Sequence, residues 1–140
     1  ISEYQIWESF HAGADAILLI ADAIEKELLM DLYALSIELG LHVLIETHNI
    51  EHLQWICNLS PKIVGVNCRD LASMNTDIAL FEKVVNELPK ECIWIAESGI
   101  NSYADLQYVH QLGFHAALIG TSLMKSKRPG LALAELLHKQ

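Results

Sequence analysis

Long hydrophobic stretches, concentrated positive charge and paired cysteines are all missing from this chain of 140 residues. No apolar run approaches the roughly 20 residues of a membrane-spanning helix, so a membrane partner is excluded. The first residues carry neither the basic nor the apolar region of a secretory signal, which points to the cytoplasm. Lys and Arg number 9 against 18 Asp and Glu, a formal charge of -9. Nonspecific nucleic-acid affinity comes mostly from cations displacing counterions, so a nucleic-acid partner is excluded as well. An anionic small molecule is still admissible where Arg69, backbone amides or helix starts gather locally against the overall field. Cys57, Cys68 and Cys92 are odd in number and lack a C-x-x-C spacing. They read as reduced, buried thiols, with no redox or metal centre implied. Low-complexity tracts and interdomain linkers are also missing, so 1–140 reads as a single domain.

What the chain does have is a repeated pattern of apolar segments that end in polar residues. Hydrophobic residues make up 52% and charged residues 19%, which suits strands buried on both faces. Ala14 to Ile20 gives way to Ala21-Asp22, and Leu41 to Ile45 to Glu46. Lys62 to Val66 runs into Asn67-Cys68-Arg69-Asp70, Cys92 to Ala96 into Glu97-Ser98-Gly99-Ile100, and His115 to Ile119 into Gly120-Thr121-Ser122. Functional side chains at the carboxyl ends of successive parallel strands are the mark of a (βα) barrel. The fold class is therefore α/β with a parallel sheet. A full barrel takes about 250 residues, so a partial TIM (βα)8 barrel is expected. A flavodoxin-like sheet is the rival at this length, but the chain opens on a helix where such folds begin with a strand.

Between the strands lie helix signals. Ser2 with Gln5 predicts a capping box, with Gly13 as the stop. Glu25 to Leu39 predicts a helix that Gly40 ends, and Asn49 caps a short one to about Asn58. Thr76 or Asn75 predicts a helix start, continuing to Asn86 before Pro89. Ser102 with Asp105 makes a second capping box ahead of Gly113, and Pro129 suits the first turn of a last helix through Leu137. Trp7, Trp55 and Trp94 read as packing residues. His48 and His52 have a metal-ligand spacing with no evident third ligand, and polar residues at a helix start are the simpler reading. His110 and His138 are expected to face solvent.

Taken together, the segments Gly13 to Ile20, Leu44-Ile45-Glu46-Thr47-His48, Gly65-Val66-Asn67-Cys68-Arg69-Asp70-Leu71, Glu97-Ser98-Gly99-Ile100 and Ile119 to Met124 resemble indole-3-glycerol phosphate synthase. The resemblance runs over essentially the whole chain. It matches the third helix and strands four to eight of that family's barrel. It implies closure of the indole ring of 1-(2-carboxyphenylamino)-1-deoxyribulose 5-phosphate, with loss of carbon dioxide and water and without metal or organic cofactor.

By resemblance, Glu46 is the strand-five carboxylate that handles protons, Asn67 a strand-six amide that orients substrate, and Glu97 the strand-seven acid. A carboxylate in a partly apolar barrel mouth has chemistry suited to this, and a solvated strand-end charge is the lesser alternative for Glu46. Arg69, Leu71 and Ser98 are substrate-binding by the same resemblance, and an ion pair of Arg69 with Asp70 or Glu97 is compatible with that. Gly99, Gly120 and Thr121 match the phosphate-binding loops after strands seven and eight.

The family also uses lysines on strands one and three and a glutamate on strand one, all upstream of Ile1. Lys26, Lys62, Lys83, Lys90, Lys125, Lys127 and Lys139 do not replace them at a strand end. Little activity is expected from these residues alone, together with self-association or pairing with the N-terminal part of such a barrel. A noncatalytic phosphate-binding module and another phosphate-handling barrel enzyme, such as phosphoribosylanthranilate isomerase, are the alternatives.

Overall fold

The computed structural model describes residues 1–138, so Lys139 lies outside the described residues. Helix and strand alternate from the start: α1 (Glu3–His11), β1 (Ala16–Ile20), α2 (Lys26–Glu38), β2 (His42–Thr47), α3 (Ile50–Ile56), β3 (Ile63–Asn67), α4 (Leu80–Val84), β4 (Ile93–Glu97), α5 (Tyr103–Gln111), β5 (Ala116–Leu118), α6 (Thr121–Met124) and α7 (Pro129–Leu137). The strands form one five-stranded sheet in the order β1-β2-β3-β4-β5, parallel in the β1–β2 and β4–β5 pairs. Sequential order with a helix in each connection is the βα repeat expected from the sequence. No helix among the described residues is long and apolar enough to cross a membrane.

Two compact units share the chain. The first comprises Ile1–Gly65 and Glu87–Cys92, the second Val66–Asn86 and the residues from Ile93 onward. In the first, β1 and β2 pair in register from Ala16 opposite His42 to Ile20 opposite Glu46. Leu29 and Leu32 of α2 are fully buried, and so is Ser36 one turn further on. Its hydroxyl donates to the Leu32 carbonyl at 2.6 Å, which satisfies a polar group inside the apolar face. In the second unit Phe81 of α4 meets Phe114 edge-on at 5.1 Å, and Trp94 of β4 meets the same ring at 6.3 Å.

Local signals hold at several ends. Asn49 accepts from the Glu51 amide at 2.9 Å, and the Ser102–Asp105 capping box is formed in both directions. Pro129 opens α7, and Gly13, Gly40 and Gly113 adopt positive φ just past their helices.

Three local readings are corrected. Ser2 precedes α1 in extended conformation and makes no side-chain cap, so the expected capping box is not formed. The helix expected from Thr76 or Asn75 starts only at Leu80. Thr76 is held by an isolated bridge to Arg69, and Asp77 Oδ1 takes the Ala79 amide at 3.0 Å. Trp7 is 41% exposed and is no core residue; along α1 it meets Phe10 edge-on and stacks on His11.

Candidate functional site

Glu46 is the penultimate residue of β2, opposite Ile20 in the sheet register, and it is only 6% exposed. The solvated strand-end reading therefore falls: this carboxylate is held inside. The backbone just beyond it is fixed by Asp22, from the 3-10 turn after β1. Asp22 Oδ2 accepts from the His48 amide at 2.8 Å, and Oδ1 lies 3.4 Å from the Thr47 hydroxyl and 3.3 Å from His52 Nδ1. Thr47 Oγ1 in turn accepts from the Asn49 amide at 3.1 Å. Two strand-end loops are thus tied by one carboxylate. His52, singled out in the sequence for its spacing from His48, serves as a partner of Asp22.

Asn67 and Glu97 end β3 and β4. Both are buried, at 7% and 2% exposure. Asn67 Oδ1 accepts from the Arg69 amide at 3.0 Å, a side-chain turn that bends the chain away from the strand. The next amide, Cys68 N–H, donates to the Glu97 carbonyl at 2.9 Å and carries the pairing one residue past the strand. Burial pushes the Cys68 thiol up to about 11; the nearby Asp77 pushes the same way and Arg69 opposes both. It is a packing residue, with no thiolate available near neutral pH.

After Glu97 the backbone turns through two successive left-handed residues, Ser98 at φ 68° and Gly99 at φ 71°. This conformation is uncommon for a residue with a Cβ and easy for glycine. A non-glycine residue held there at a strand end marks a segment whose local strain the surrounding structure sustains. Asn101 Nδ2 donates to the Gly99 carbonyl at 2.9 Å and steadies the same turn.

A cavity of about 370 Å³ opens in the second unit, and it gathers five of the nine residues expected in the site: Arg69, Ser98, Gly99, Gly120 and Thr121. Its wall also includes Thr76, Asn101, Ser122 and Lys125. The Ser122 hydroxyl donates to the Ile100 carbonyl at 3.1 Å, linking the loop after β4 to the start of α6. Arg69 Nη1 donates to the Met74 carbonyl at 3.3 Å. Among the described residues, Arg69 and Lys125 are the only charged groups of this wall, and both are cations.

Leu71 does not line this cavity; it is 46% exposed, in the turn between Arg69 and Thr76. Asp70 holds that turn through the Ala72 amide at 2.8 Å and the Ser73 hydroxyl at 2.8 Å. In the sequence Lys125 stands only among the lysines that do not end a strand; it sits past α6, a four-residue helix that no periodicity announces. Its spacing of five residues from Gly120 is the only signal that pointed there.

The comparisons with known proteins agree with one another. The sequence pattern of the family described as indole-3-glycerol phosphate synthase matches residues 1–136. A protein of that name from Bacillus velezensis is 44% identical over 126 residues, which are 89% of this chain and 50% of the relative. One from Legionella pneumophila is 40% identical over 137 residues, 98% of this chain and 53% of the relative. The chain spans about half the length of these curated relatives. Among solved structures, a mandelate oxidase mutant with an FMN adduct superposes with a TM-score of 0.72 at 18% identity, over 96% of this chain and 50% of the other. A thiamine phosphate pyrophosphorylase from Pyrococcus furiosus gives 0.69 at 14%, over 94% and 61%. At such identities the likeness speaks to the fold alone: part of a TIM (βα)8 barrel, as expected from the sequence.

Proposed function

The chain belongs to the indole-3-glycerol phosphate synthase family, and from that premise we propose that it supplies the strand-four-to-eight part of such an enzyme in tryptophan biosynthesis. The substrate is 1-(2-carboxyphenylamino)-1-deoxyribulose 5-phosphate; ring closure forms a carbon–carbon bond, and carbon dioxide and water leave. This is carboxy-lyase chemistry in the cytoplasm, with no cofactor.

The cavity that joins Arg69, Ser98, Gly99, Gly120 and Thr121 carries the reading, because its charge is wholly positive in a chain of formal charge -9. Gly99, Gly120 and Thr121 offer backbone and hydroxyl donors to the phosphate, while Arg69 and Ser98 hold the rest of the anion. Leu71, exposed and outside the cavity wall, is kept as substrate-binding on the family resemblance alone. Glu46, buried near the end of β2, moves protons during ring closure and dehydration. Asn67 orients the substrate hydroxyls, and Glu97 is the second acid. Residues 1–140 alone turn over slowly, since the family's lysines belong to strands one and three. The partner in this reading is the N-terminal part of such a barrel or a second copy of this chain.

The test is a fluorescence assay for indole-3-glycerol phosphate with residues 1–140 alone and with the lysine-bearing N-terminal half of the Bacillus velezensis relative. Alone, the rate is expected to fall short by about 10²–10⁴-fold, the usual contribution of a positioned proton donor. With the added half the rate recovers, and Glu46→Gln abolishes the recovery. Ordinary turnover by the chain alone, or a recovered rate indifferent to Glu46→Gln, refutes the reading. Phosphate binding without turnover in the paired assembly would instead favour a noncatalytic phosphate-binding module.

A further inference from the structure

We propose that Lys125 is a phosphate-binding residue, paired with Arg69 across the cavity that opens between the loops after β4 and β5. The inference rests on the reading that this cavity receives the substrate's phosphate, and it adds a residue that neither the family resemblance nor the comparisons assign.

Three observations carry it. First, the chain has twice as many acids as cations, 18 against 9, yet the wall of this cavity holds two cations and no carboxylate. A phosphate monoester approaches a charge of -2 at neutral pH and is matched by two positive groups, not by one. Second, Lys125 is uncommitted. Lys83 bonds Asp77 at 3.3 Å and Lys26 lies 5.9 Å from the Trp55 ring centre, whereas among the described residues Lys125 forms no ion pair. Arg69, by contrast, already directs one Nη at the Met74 carbonyl.

Third, the backbone that carries Lys125 is anchored to the cavity itself. Its amide donates to the Thr121 carbonyl at 3.1 Å, and the neighbouring Ser122 hydroxyl reaches the Ile100 carbonyl at 3.1 Å. The flexible stem thus leaves from a fixed point on the rim. A compact ammonium with three donors suits a tetrahedral oxyanion that rotates, while the planar guanidinium of Arg69 fixes its orientation.

The experiment titrates inorganic phosphate into the chain, followed by calorimetry and by the amide shifts of Gly99, Gly120 and Thr121. It compares wild type with Lys125→Met, Lys125→Arg and the charge-matched control Lys90→Met, at an exposed position outside the cavity. Lys125→Met is expected to weaken phosphate about tenfold or more. Lys125→Arg is expected to stay within about threefold of wild type and Lys90→Met within about twofold, as a rim cation and a remote one should. Equal affinities for Lys125→Met and Lys90→Met, with wild type binding, overturn the assignment of Lys125 and leave the phosphate cavity standing. Failure of wild type itself to bind overturns the phosphate reading and this inference with it.

Discussion

Gly99 and Cys68 face each other so closely that a Cβ at position 99 would come within 2.6 Å of the Cys68 sulfur, and within 3.0 Å of Thr76 Cγ2. The glycine is required twice over, by this contact and by its φ of 71°. Gly99→Ala is expected to cost at least about 2 kcal/mol in urea unfolding, from left-handed strain together with overpacking. Adding Cys68→Ala removes the sulfur and should return part of that loss, leaving the backbone share. If the double variant is no more stable than Gly99→Ala, the contact is not what the glycine serves.

Cys68 gives a second handle through pH. Its thiol is raised to about 11 from an ordinary value of 9.0, so between those values the unfolded chain has lost the proton and the folded chain keeps it. The unfolded state then binds fewer protons, and stability falls as pH rises through this window, by about 1.4 kcal/mol per unit at most from this one group. Denaturation midpoints at pH 8, 9.5 and 10.5 should decline more steeply in wild type than in Cys68→Ala. Alkylation of Cys68 in the folded protein at pH 8 should be slow. Rapid labelling there would contradict the buried, protonated thiol.

Asp22 ties the loops after β1 and β2, so its loss should be felt beside Glu46. Asp22→Ala leaves the His48 amide without its acceptor and is expected to lower stability by about 1–3 kcal/mol. Asp22→Asn keeps an acceptor oxygen and should fall between the two. In the paired assembly described above, Asp22→Ala should reduce kcat more than it raises KM, since it acts on the setting of Glu46 and not on the cavity that takes the anion. Thermal melts and steady-state kinetics on the same three proteins check both parts. An Asp22→Ala protein as stable as wild type would count against the tie.

Leu18 sits on β1, an end strand of the sheet, and is 46% exposed. A terminal strand with an apolar surface invites pairing with another chain. Light scattering at rising concentration is expected to show association, and Leu18→Lys should shift the population toward monomer. Monomeric wild type at high concentration refutes this expectation.

Much of the fold could be read in advance, for reasons the structure makes clear. Strands buried on both faces are nearly unbroken apolar runs, so Ile63–Asn67 stands out without any knowledge of its neighbours, and Ala16–Ile20 keeps the same apolar run although Leu18 is exposed. Ser102 and Asp105 declare a helix start because both halves of their reciprocal bonding lie within four residues. Ser2 and Gln5 carry the same pattern, yet no side-chain cap forms at Ser2, so the motif alone does not decide whether its bonds are made. The late start of α4 was hidden because Thr76 is used to bridge Arg69, a pairing across a loop. In the candidate site, strand-end residues were visible from chemistry and position. The tie made by Asp22 and the place of Lys125 in the cavity wall were not, since one acts through a neighbouring loop and the other follows a helix of a single turn.

The bridge between Arg69 and Thr76 closes the intervening segment into a small ring of backbone, with Met74 exposed at its tip in a left-handed conformation. Arg69 is both a hinge of that ring and, through its guanidinium, a wall of the cavity. Any anion that recruits the guanidinium must therefore share it with the Met74 carbonyl or break that bond, and occupancy of the cavity becomes mechanically audible at the ring's tip. The Met74 resonances are therefore expected to move when phosphate is titrated in, although Met74 does not line the cavity, and resonances that stay put while phosphate binds would count against this coupling.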